Sequence, residues 1–94
     1  MRMDFGDVIK RFRDEVVEGL DKGYAMRFAR AGWNGKGMWI EVCIPVRCKA
    51  LDETGCESEL EMQPFIVMKT AQDTLVPWLA SQSDMLADDW EAVQ

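Results

Sequence analysis

Histidine is absent from these 94 residues, and its absence narrows the chemistry sharply. Without imidazole there is no His-based triad, no His general base and no zinc site of the usual His-containing kind. Cysteine is scarce: Cys43, Cys48 and Cys56 are odd in number and make no CxxC pair. That fits reduced thiols in a cytosolic protein better than a disulfide framework or a metal site. No apolar run approaches the roughly 20 residues that span a bilayer. The start, Met1-Arg2-Met3-Asp4-Phe5-Gly6-Asp7, lacks the apolar stretch of a signal peptide. The expectation is a soluble protein of the cytoplasm, without a membrane partner. There is no phosphate-binding P-loop and no dinucleotide fingerprint, and Ser81 and Ser83 have no base partner in sequence. The acids Asp73, Asp84, Asp88, Asp89 and Glu91 read as solvated surface and helix caps. The chain therefore reads as a non-enzyme, with no catalytic residue, metal or cofactor assigned.

What is present is an ordinary globular balance, 48% hydrophobic and 30% charged in 10.8 kDa, which predicts one domain over residues 1–94. The net charge of −6 is unevenly spread. Residues 1–21 carry six acids and four bases. Residues 22–49 carry Lys22, Arg27, Arg30, Lys36, Arg47 and Lys49 against Glu41 alone, and residues 50–94 carry ten acids against Lys69. An acidic protein thus contains a basic middle. Its overall sign disfavours DNA or RNA polymers as partners, while a small anion held by the middle remains open. So does simple neutralisation of the acidic flanks within the fold or an oligomer.

Phe5, Val8, Ile9, Phe12, Val16, Val17 and Leu20 recur at helical spacing and predict one long N-terminal helix. Asp4 is its N-cap, Met3 and Val8 its hydrophobic staple, and Gly23 its end. Residues 24–30 read as a strand whose Arg27 faces away from Tyr24, Met26 and Phe28. Residues 38–44 read as the strongest strand, with Trp39 in sheet packing. The polar residues 46–62 read as a long connection, either mobile or functional. Residues 64–70 and 75–78 predict a hairpin about a turn at 71–74, with Pro77 at an edge. Ser81 with an acid three positions later predicts one or two helical turns, and residues 90–93 a last short strand. The fold class is α+β: a small antiparallel β-sheet, one long N-terminal helix and a short C-terminal helix.

The most unusual local feature is Gly32-Trp33-Asn34-Gly35-Lys36-Gly37, preceded by Arg30. Three glycines allow close backbone approach and present amide N–H groups to an anion. Trp33 offers a stacking face, while Arg30 and Lys36 offer charge for phosphate. The competing reading is structural: Asn34-Gly35 as a hairpin turn, with Trp33 packed inside the fold. Four Trp in this length is high, and Trp33, Trp78 and Trp90 all fall at loops or element ends. Exposed there, they would need a ligand or another subunit.

Two strings carry a resemblance. Gly32-Trp33-Asn34-Gly35-Lys36-Gly37-Met38-Trp39 and Val76-Pro77-Trp78-Leu79-Ala80-Ser81-Gln82-Ser83-Asp84-Met85-Leu86-Ala87-Asp88-Asp89-Trp90 resemble a phage and prophage family, the second type of Thoeris anti-defence protein. The resemblance implies a sponge in the host bacterial cytoplasm. Such a protein binds the cyclic ADP-ribose isomer that signals Thoeris immunity (glycocyclic ADP-ribose), holds it uncleaved, and in some relatives also takes cyclic dinucleotides of CBASS immunity. It implies a homotetramer with sites at subunit contacts. Carried over by position, Trp33 contacts the ligand, with Asn34, Gly35 and Lys36 beside it; Trp78, Pro77 and Leu79 form a second apolar wall. Met38, Asp84 and Trp90 are located by the strings without a role. Residues 46–62 are longer than the connection the resemblance implies. The alternative is an interaction module whose Trp faces serve only assembly or bind a host protein.

Overall fold

A computed structural model of the chain describes residues 2–19, 25–44, 47–51 and 57–93. Helix α1 spans Phe5–Glu18 and strand β1 spans Arg27–Arg30. A single 3₁₀ turn, Asn34–Lys36, precedes β2 (Trp39–Cys43). Next come β3 (Arg47–Leu51), β4 (Glu57–Glu61), β5 (Phe65–Lys69) and β6 (Leu75–Pro77). Helix α2 (Gln82–Leu86) and β7 (Trp90–Val93) complete the order. Five strands form one antiparallel sheet in the order β6-β5-β2-β1-β7, and β3 pairs with β4 separately. This is the α+β class that the periodicities predict.

Why the helix starts where it does is local chemistry. Asp4 accepts the Asp7 amide at 2.8 Å while Asp7 accepts the Asp4 amide at 3.2 Å, a reciprocal capping box. Its end differs from the expected Gly23, which lies outside the described residues. The helix stops at Glu18 because Gly19 turns the chain with φ +86° and ψ −174°, a region essentially reserved for glycine. The buried stripe also differs. Val8 and Phe12 are buried as expected, but the next inward position is Glu15, and Val16 and Val17 are exposed. Glu15 Oε1 accepts the Met26 amide at 2.7 Å, so the carboxylate joins the helix to the chain entering β1.

Val8 and Phe12 pack with Phe28, Ile40, Val42 and Trp90 to form the core. Phe28 pairs with Ile40, and Ile40 with Met68, so an apolar row crosses the sheet on one face. The opposite face carries the expected Arg27, whose guanidinium lies 4.1 Å over the Trp39 ring and bonds Glu41 at 3.3 Å. The described residues within 46–62 correct the expectation of an irregular connection: β3 and β4 pair there antiparallel. Their register sets Arg47 opposite Glu61 and Lys49 opposite Glu59, opposite formal charges at facing positions. Period-two alternation is weak there, which hid the strands. The β5–β6 hairpin turns as expected, with β6 at the sheet edge where Pro77 needs no ladder donor. No helix among the described residues is long and apolar enough to cross a membrane.

Candidate ligand-binding site

Residues 31–38 join β1 to β2 by a glycine-rich loop rather than by the two-residue Asn-Gly hairpin turn. The Trp33 carbonyl organises it, accepting the amides of Lys36 at 2.9 Å and Met38 at 3.3 Å. The Trp33 amide donates to the Arg30 carbonyl at 2.9 Å. Gly37 has φ +68°, and the Lys69 ammonium donates to its carbonyl at 2.7 Å while pairing with Asp73 at 2.6 Å. Lys69 thus latches the far end of the loop to the β5–β6 hairpin. Sequence gave no sign of that contact. Gly32 and Gly35 are exposed, and a Cβ added at either would meet nothing within 4 Å. Packing does not require glycine at these two positions, and the loop surface there is open to close approach.

Trp33, Trp78 and Trp90 lie at a loop and at element ends as expected, but they pack on one another there instead of standing exposed. Trp33 lies 5.2 Å from Trp90 and 6.1 Å from Trp78 between ring centroids, both edge-to-face. Trp78 and Trp90 are 6.1 Å apart, and Phe5 adds contacts of 5.4 Å to Trp90 and 6.0 Å to Trp78. Such aromatic pairs contribute about 0.5–1.5 kcal/mol each beyond their area burial. Trp90 is fully buried, so it presents no face to an outside molecule. Trp33 and Trp78 are half-buried and packed against the core. Their meeting is set by backbone: the Trp78 amide donates to Ile66 at 3.0 Å, anchoring the chain as it leaves β6.

Around this pair the predicted residues sort unevenly. Gly35, Lys36, Pro77 and Leu79 are exposed, Leu79 at 92%, and Met38 is half-buried. Asn34 opens the 3₁₀ turn beside Trp33. Lys36 forms no ion pair among the described residues. Arg30, expected to supply charge for phosphate, is already engaged. Its Nη1 donates to Asp84 Oδ1 and its Nε to Asp89 Oδ1, both at 3.0 Å. Hydrogen bonds to Asp89 and then Asp84 raise the Arg30 pKa above its ordinary value. The Arg30 hydrogen bond holds the Asp89 carboxyl below its own. The reading of Asp84 and Asp89 as caps and solvated surface therefore needs correction. Asp84 does cap α2 through Ser81, but both acids bind Arg30. No group of three or more His, Cys, Asp or Glu that could hold a metal occurs among the described residues.

The profile of the Thoeris anti-defense 2-like domain matches residues 3–93, the glycine loop and the whole aromatic cluster included. The chain belongs to the Thoeris anti-defense 2-like family. It is also similar to the protein named Thoeris anti-defense 2 of Bacillus phage SP01, at 33% identity over 88 residues. That alignment takes in 84% of this chain and 90% of the phage protein. Family membership so spans nearly the full chain, and every residue of the candidate site lies inside it.

Proposed function

We propose that this protein is a phage anti-defence sponge that binds the cyclic ADP-ribose isomer of Thoeris immunity and withholds it without cleaving it. The observation that carries the reading is the half-buried Trp33–Trp78 pair beside an open glycine loop bearing Lys36. A cyclic nucleotide presents a flat adenine and two phosphates. Stacking on an indole contributes about 1–3 kcal/mol per base, and the loop amides and Lys36 meet the anion. Trp33, Asn34, Gly35 and Lys36 form one side of this site and Pro77, Trp78 and Leu79 the other. Cyclic dinucleotides share the same base-and-phosphate chemistry and fit the same reading.

Asp84 and Asp89 are both engaged in ion pairs with Arg30. Leu79, Met85 and Leu86 are exposed apolar side chains, Leu86 at 85%. Contact with further copies, as a tetramer in the host cytoplasm, would cover that surface and complete the pocket.

Titration calorimetry with glycocyclic ADP-ribose tests the reading. Micromolar or tighter binding, at least about −8 kcal/mol, is expected for the natural chain, with loss in Trp33→Ala at unchanged fold. A chain that oligomerises yet binds neither this nucleotide nor a cyclic dinucleotide would instead be an interaction module.

A further inference from the structure

We propose that Arg30 is a positioning residue: it does not bind the ligand phosphates but sets the orientation of the Trp33 and Trp78 faces through Asp84, Asp89 and Trp90. The claim about binding rests on the sponge reading above; the claim about orientation does not.

The connections run in both directions from β1. On the side-chain side, the Arg30 fork holds Asp84 in α2 and Asp89 just before β7. Asp84 is at once the capping-box acid of α2 and, through its carbonyl, the acceptor for the Trp90 indole N–H at 3.0 Å. On the backbone side, the Arg30 carbonyl accepts the Trp33 amide, and the Ala31 amide donates to the Asp89 carbonyl at 3.2 Å. Trp90 touches both Trp33 and Trp78. Arg30 is therefore bonded directly to the Trp33 backbone and to the aspartate whose carbonyl holds the Trp90 indole, and Trp78 is reached through its contact with Trp90. Lysine cannot replace it, because one ammonium lacks the planar fork that reaches two carboxylates in fixed directions.

Charge points the same way. A phosphate approaching Arg30 would meet Asp84 and Asp89, which already accept from its Nη1 and Nε. Lys36, exposed and without an ion pair among the described residues, is the loop cation left to meet phosphate.

Arg30→Lys, Asp89→Asn and Lys36→Gln, each made in the full chain, separate the roles. The coupled circular-dichroism signal of the three indoles is read without ligand, and Kd for glycocyclic ADP-ribose is read across salt concentrations. Positioning predicts that Arg30→Lys and Asp89→Asn both diminish the indole signal and weaken binding by about tenfold, with the salt dependence retained. Lys36→Gln is predicted to leave the indole signal intact and to flatten the salt dependence. The nearly isosteric Asp89→Asn decides even if Arg30→Lys fails to fold. Were Arg30 a phosphate ligand, removing the competing Asp89 charge would tighten binding and leave the indole signal unchanged, which would overturn the proposal. If the natural chain binds no nucleotide, the sponge reading falls, and the ligand-free indole signal still tests the positioning claim.

Discussion

Trp33 and Trp90 touch one another yet differ in what their loss should do. Trp90 has no exposed surface and contacts Phe5, Trp33 and Trp78. Truncating it leaves a large cavity and the Asp84 carbonyl without its indole donor. Trp90→Ala should therefore lose about 3–5 kcal/mol of unfolding free energy in a denaturant titration. Trp33 is half-buried at the rim, so Trp33→Ala should cost about 1–2 kcal/mol in the same titration while abolishing nucleotide binding. Gly19 offers a separate check on backbone. Space around its missing Cβ is open, so Gly19→Ala tests conformation alone and should destabilise by about 1–3 kcal/mol. At this scale the pairings are what sequence leaves unreported. Arg30 was visible as a cation in a basic segment, but its partners lie 54 and 59 positions away, and no local pattern reports such pairing. Glu15 was hidden because a carboxylate on an apolar stripe looks like an error until the Met26 amide is brought to it.

Elements with local causes were the most legible. The α1 and α2 capping boxes, the alternation in β2 and the β5–β6 turn all depend on residues within a few positions of one another. Asp4 and Ser81 were named from sequence, and both cap as expected. Ser81→Ala should cost about 1 kcal/mol and, because Asp84 loses its capping partner, should also diminish the indole circular-dichroism signal. What was not legible depended on distant contact. The glycine loop adopts a 3₁₀ turn in a longer connection because Trp33 turns inward onto Trp90 and Lys69 holds Gly37 from β5, neither of which the Asn34-Gly35 pair announces. The β3–β4 pair, with little hydrophobic alternation, reads as a connection for the same reason: its order lies in pairing across strands.

For the molecule as a whole, acid response follows from the Arg30 corner. Asp89 is held below the ordinary aspartate value of about 3.9 by the hydrogen bond from Arg30, its charge and that of Arg2. A lowered folded-state pKa contributes stability that is complete above the unfolded value and is lost as pH falls through the folded one. The stability difference between the natural chain and Asp89→Asn should thus stay constant from neutral pH to about pH 5 and shrink below about pH 4. Arg30 shifts the other way, upward, so its contribution persists through the alkaline range. The central claim is retention of an intact signal, and recovery after denaturation tests it most directly. Glycocyclic ADP-ribose is incubated with excess protein, the free nucleotide is measured, and the complex is then heated and its supernatant analysed by mass. The account predicts depletion before heating and return of the uncleaved nucleotide afterwards; a cleaved product, or no depletion at all, would contradict it.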